Sequence, residues 1–112
     1  MKYLTRKIKE DIKQHSAQET PRECCGLIYR EGQVYKSIRC KNVAVDTKNN
    51  FKINPADYVR AEQMGDIKAY YHSHVTDAIG VFSKMDRKVS DAHGVPLIMY
   101  CIEKNEFFEY NG

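Results

Sequence analysis

The sequence predicts an α/β fold, a single domain in which helices pack on a mixed, curved β-sheet. Three observations carry that expectation. Segments with helical apolar spacing alternate along the chain with short β-rich runs, the pattern of a sheet covered by helices. The chain has 112 residues, 42% hydrophobic and 29% charged, which provides one small core and little room for a second. The run 97–102 is almost continuously apolar, as a central strand buried on both faces would be.

The elements follow in order. Leu4, Ile8, Ile12 and His15 recur at helical spacing among lysines and acids, predicting an amphipathic helix of about four turns that ends at Thr20 and Pro21. Two β-rich runs, 24–29 and 34–41, flank Arg30-Glu31-Gly32-Gln33 and should pair as a hairpin. The short run 51–53 reads as a third strand. Asn54 as N-cap, Pro55 at the first helical position and Asp57 in the first turn start a second helix, which stops near Gly65. Residues 67–74 read as a strand because tyrosines and a β-branched residue fill them. Ser83 offers an N-cap to a third helix, with Met85, Val89 and Ala92 as its apolar stripe and Gly94 and Pro96 as its stop. Runs 97–102 and 106–110 then return beside one another through Glu103-Lys104-Asn105. No internal repeat or interdomain linker divides the chain, so one domain is expected over 1–112.

Several function classes drop out on composition. Eighteen Lys and Arg against fifteen Asp and Glu give a net charge of +3, scattered and too slight for a nucleic-acid footprint. No run approaches the roughly 20 apolar residues of a membrane span, and the N-terminus lacks the apolar core of a signal peptide. Cys24, Cys25, Cys40 and Cys101 have no C-x-x-C spacing, and without a secretion signal they are expected to be reduced and mostly buried.

The chemistry concentrates at His72-Ser73-His74, at the end of a predicted strand. Side chains at i and i+2 of a strand share a face, so both imidazoles reach one metal ion without bending the backbone. Asp86, at the start of the next helix, would supply a third ligand. Two His and one Asp leave a tetrahedral zinc one open position, which is the catalytic kind of site. Such a site needs a base nearby, and Glu23, just before the first β-rich run, is the candidate. Each part also has a plain structural reading. A His-x-His pair fits two partly exposed imidazoles, and Ser83-x-x-Asp86 fits a capped helix start. Glu23 beside Arg22 fits a solvated strand-end acid. His15 and His93 have no clustered partners and read as surface or helix-end residues. Cys24 and Cys25 would face opposite sides of a strand, favouring core packing over a cysteine nucleophile, which would leave His-x-His unexplained.

Taken together, Pro21-Arg22-Glu23-Cys24-Cys25-Gly26-Leu27-Ile28, His72-Ser73-His74 and Ser83-Lys84-Met85-Asp86 resemble the JAB/MPN (JAMM) metalloprotease family. The stretch 51–62 and Gly65-Asp66-Ile67 look like its prokaryotic branch, particularly the tail-assembly proteins of long-tailed phages. The likeness runs from about Pro21 to about Ile102. It implies a cytidine deaminase-like α/β domain acting as a zinc metallopeptidase or isopeptidase. By motif position, His72, His74 and Asp86 would hold Zn2+, Glu23 would be the general acid/base, and Ser83 would donate a hydrogen bond to the oxyanion. Val75 stands where the family has proline, and the 75–82 segment is one residue longer than usual, a change that touches activity more than metal binding.

The expected partners are a peptide or protein substrate and, by the resemblance, phage tail-tip proteins or a separate cell-wall peptidase. The expected setting is the host cytoplasm or the virion tail. Two further readings are a structural component of a tail tip with little or no activity, and a bacterial deconjugase of ubiquitin-like modifiers.

Overall fold

The computed structural model describes residues 2–76, 82 and 84–111, with Met85 described in its backbone alone. Helix α1 (Arg6–Glu19) is followed by strands β1 (Cys25–Glu31) and β2 (Val34–Cys40), helix α2 (Pro55–Met64), strand β3 (Asp66–His74), helix α3 (Lys84–His93), and strands β4 (Leu97–Cys101) and β5 (Glu106–Tyr110). The strands form one mixed sheet in the order β2-β1-β3-β4-β5, in which only the β3–β4 pair is parallel.

Local chemistry sets the helix limits. Thr5 caps α1, its hydroxyl accepting from the Ile8 N–H at 3.2 Å. Asn54 caps α2 through the Ala56 N–H, and Pro55 occupies the first turn, where no N–H is needed. Gly94 closes α3 at φ +65°, a left-handed conformation that glycine adopts without strain.

Alternation along the strands divides the core in two. Ile8 and Ile12 of α1 pack with Cys24, Ile28, Ala69, Tyr71 and Ile98 on one face of the sheet. Cys25, Leu27, Tyr70 and Leu97 point the other way, toward Ala61 of α2 and Val89 of α3. Gly26 allows a close approach within the sheet. A Cβ there would lie 2.2 Å from the Tyr71 ring and 2.5 Å from the Ile38 carbonyl oxygen. All four cysteines are free and buried, and Cys24 and Cys25 face opposite cores, as their adjacency predicts.

Three sequence expectations need correction. Residues 51–53 form no strand; Ile53 makes a single bridge to Asn42. The Asn42 side chain accepts the Lys52 N–H that a ladder would use, so pairing stops there. His15 is not a surface residue, because it lies on the buried stripe of α1, 6% exposed, and shares a 2.8 Å hydrogen bond with Tyr71 Oη. In α3, Val89 packs into the core while Ala92 is exposed, so the apolar stripe is narrower than its spacing implies. His93 does sit at the end of α3.

Candidate metal centre

β3 delivers the imidazoles. His72 and His74 share the face that carries Tyr70, with ring centroids 4.8 Å apart in an edge-on arrangement. Ser73 points to the other face, and its hydroxyl accepts the Cys24 N–H at 2.9 Å. The Ser73 N–H in turn donates to the Cys24 carbonyl at 3.1 Å. Those two bonds fasten the chain just after Glu23 to the middle of the His-x-His motif.

His72 is fully buried. Its Nδ1 lies 2.9 Å from the Ile98 carbonyl oxygen, which only accepts, so Nδ1 carries the hydrogen. Phe51 stacks on the ring at 4.6 Å and 22°. Among the described residues, Nε2 of His72 has no hydrogen-bond partner although it is buried. It faces Asp86 Oδ2 at 3.3 Å. In the neutral ring that contact sets lone pair against lone pair, an arrangement a cation relieves.

The remaining groups converge on the same point. His74 Nε2 is 3.7 Å from Asp86 Oδ2 and 3.6 Å from Glu23 Oε2. Glu23, His72 and His74 each offer a ligand atom within 4.8 Å of the others'. Side-chain exposure is 0% for His72, 6% for Glu23 and 7% for Asp86, against 16% for His74, which gives the cluster its opening to solvent. Burial, then the carboxylates of Asp86 and Asp46, push the Glu23 carboxyl up to about 8. Crowded buried acids beside an imidazole nitrogen with no proton partner fit a divalent cation better than they fit one another.

Of the residues singled out from sequence, Glu23, His72, His74 and Asp86 are brought together. Ser83 lies outside the described residues. Sequence reasoning missed Ser73, Phe51 and Asn42, whose side chains support the cluster without offering metal ligands. The only sequence signal for Ser73 is its place between two histidines. Phe51, which stacks on His72, also borders a mainly apolar cavity of 680 Å³ lined by Ile53, Pro55, Tyr58, Val59 and Val89.

This fold and motif define a class: the chain belongs to the prokaryotic homologues of the JAB domain, whose family model matches residues 5–110. The chain is 34% identical over 93 residues to tail tip assembly protein K of Escherichia phage N15, covering 83% of this chain and 38% of that protein. It thus spans well under half the length of this curated relative. The fold resembles the solution structure of protein DSY2949 from Desulfitobacterium hafniense, with a TM-score of 0.73 at 20% identity over 94% of this chain and 78% of the other.

Proposed function

We propose that the chain is a zinc-dependent peptidase that hydrolyses an amide bond in the assembly or action of a phage tail tip. The observation that carries this reading is the buried His72 Nε2, which among the described residues has no hydrogen-bond partner and faces Asp86 Oδ2, beside His74 and Glu23. His72, His74 and Asp86 would hold the ion, and zinc suits two imidazoles and a carboxylate. When bound, it supplies a Lewis acid that polarises a carbonyl oxygen and lowers the pKa of water to about 7.

The chain's own residues do the rest. His72 donates Nδ1–H to the Ile98 carbonyl, which fixes the ring with Nε2 toward Asp86. Glu23 Oε2, 3.6 Å from His74 Nε2, takes a proton from the attacking water and returns it to the leaving amine. Ser83 donates a hydrogen bond to the oxyanion, a contribution typically worth about 10²–10³ in turnover.

Metal analysis tests the reading. About one zinc per chain is expected, with loss of that metal in the His72→Ala, His74→Ala double variant; unchanged metal in that variant overturns the assignment. Glu23→Gln should keep the metal and lose hydrolysis, and full activity in it would remove Glu23 from its role.

A second reading is favoured by the phage N15 relative, named for tail tip assembly and more than twice as long. In it the domain docks on tail-tip proteins and contributes no cleavage. Copurification with those proteins, with metal bound but no hydrolysis of tail or cell-wall peptides, would establish this alternative.

A further inference from the structure

We propose that Asn42 is a positioning residue that holds Glu23 against the imidazole pair, an inference that rests on the reading of Glu23 as the proton carrier. Glu23 lies between α1 and β1, outside every strand ladder, so no sheet partner fixes its backbone. Two bonds from the 42–52 segment do so instead. The Glu23 N–H donates to the Thr47 carbonyl at 2.7 Å. The Glu23 carbonyl accepts from Asn42 Nδ2 at 2.9 Å.

Asn42 uses every bond an amide can make. Nδ2 also donates to the Asn50 carbonyl at 3.0 Å, while Oδ1 accepts the N–H groups of Ala44 at 3.0 Å and Lys52 at 3.1 Å. Two carbonyls facing one end and two N–H groups facing the other fix the amide's orientation. The segment so folded carries Thr47, which grips Glu23 from its other side, and Phe51, which stacks on His72. One side chain therefore sets both the acid and the wall behind the first imidazole. Among the described residues Glu23 Oε1 is buried without a hydrogen-bond partner, so placement of the carboxylate depends on how firmly its backbone is held.

The two halves of the amide are separable. Asn42→Asp keeps the acceptor bonds from Ala44 and Lys52 and removes the donor to Glu23 and Asn50. The first readout is amide hydrogen exchange by NMR, which needs neither substrate nor metal. In N42D the Glu23 N–H should exchange at least about tenfold faster relative to Leu27 in β1 than in the wild type. An unchanged ratio overturns the proposal. If N42D also loosens the sheet, N42S removes the same donor without adding a charge, and the ratio of Glu23 to Leu27 exchange decides in the same way.

The second readout uses the zinc-loaded protein on a peptide that the wild type cleaves. N42D should lower kcat about 10- to 100-fold, as displacement of a reacting group by an ångström does, with KM and zinc content held within about twofold. Unchanged kcat overturns the positioning role. A wild type that binds zinc and cleaves nothing removes the peptidase reading, while the exchange ratio still decides whether Asn42 holds Glu23.

Discussion

His15 and Glu23 are both shielded from water, and burial moves them in opposite directions on the pH scale. The His15 imidazole is lowered from 6.5 to about 4, first by burial and then by Arg39. It is neutral in the fold, whereas the unfolded chain takes up a proton below 6.5. Its contribution to stability is therefore intact above 6.5 and is lost as pH falls toward 4. Glu23 in the metal-free protein, raised from 4.5 to about 8, acts oppositely and lowers stability as pH rises across that interval. Comparing variants separates the two. Between pH 7 and pH 4.5, wild type should lose about 2–3 kcal/mol relative to His15→Gln in urea unfolding; a difference that does not change with pH would refute the neutral, buried assignment. At Gly26 the prediction is steric. Gly26→Ala sets a methyl group against the Tyr71 ring and the Ile38 carbonyl, and should cost about 1–3 kcal/mol, lowering the urea midpoint without changing its slope.

At the level of the element, β3 joins scaffold and site. Ala69 and Tyr71 belong to the core under α1, while His72 and His74 face the candidate metal centre. Ser73, on the scaffold side, ties β1 to β3 through the Cys24 N–H. Ser73→Ala leaves that buried donor unpaired and should cost about 1–3 kcal/mol, read as a lower thermal midpoint, while zinc content stays near the wild-type value. This strand was legible from sequence because His-x-His states its own geometry once the strand is assumed. The start of α2 was equally legible, since Asn54-Pro55 acts within a single turn. Residues 51–53 were not, because what stops them pairing is a side chain about ten residues upstream, Asn42. His15 was misread for a related reason. The stripe of α1 correctly included it, but its partner Tyr71 is 56 positions away, and nothing local announces that contact. In the candidate site, the grouping of Glu23, His72, His74 and Asp86 could be read, but the hold on Glu23 could not, since Thr47 and Asn42 reach it through the fold.

For the whole molecule, a cation would add a link between α3 and β3. Asp86 of α3 meets β3 side chains at 3.3 and 3.7 Å, adding to the packing of Val89 and of His93 against Tyr58 and Tyr70. Zinc at about a hundred times its dissociation constant should therefore stabilise the fold by about 2.7 kcal/mol, raising the thermal midpoint by roughly 10 °C or more. A chelator should reverse the gain, and a midpoint indifferent to both would argue against a folded-state metal site.

The alternation of β3 has a consequence for its register. With a repeat of two, the two kinds of residue are kept apart only by parity. With the β1–β3 register of 70–72 kept, a shift of one position would turn the imidazoles toward α1 and present Ser73 and Tyr71 to the face of Glu23 and Asp86 in their place. Insertions or deletions of two would keep the facing but slide the donors away from Asp86. The spacing from Ala69 to His74, beyond the bulge at Lys68, is thus a frame that tolerates substitution along its length far better than a change in count.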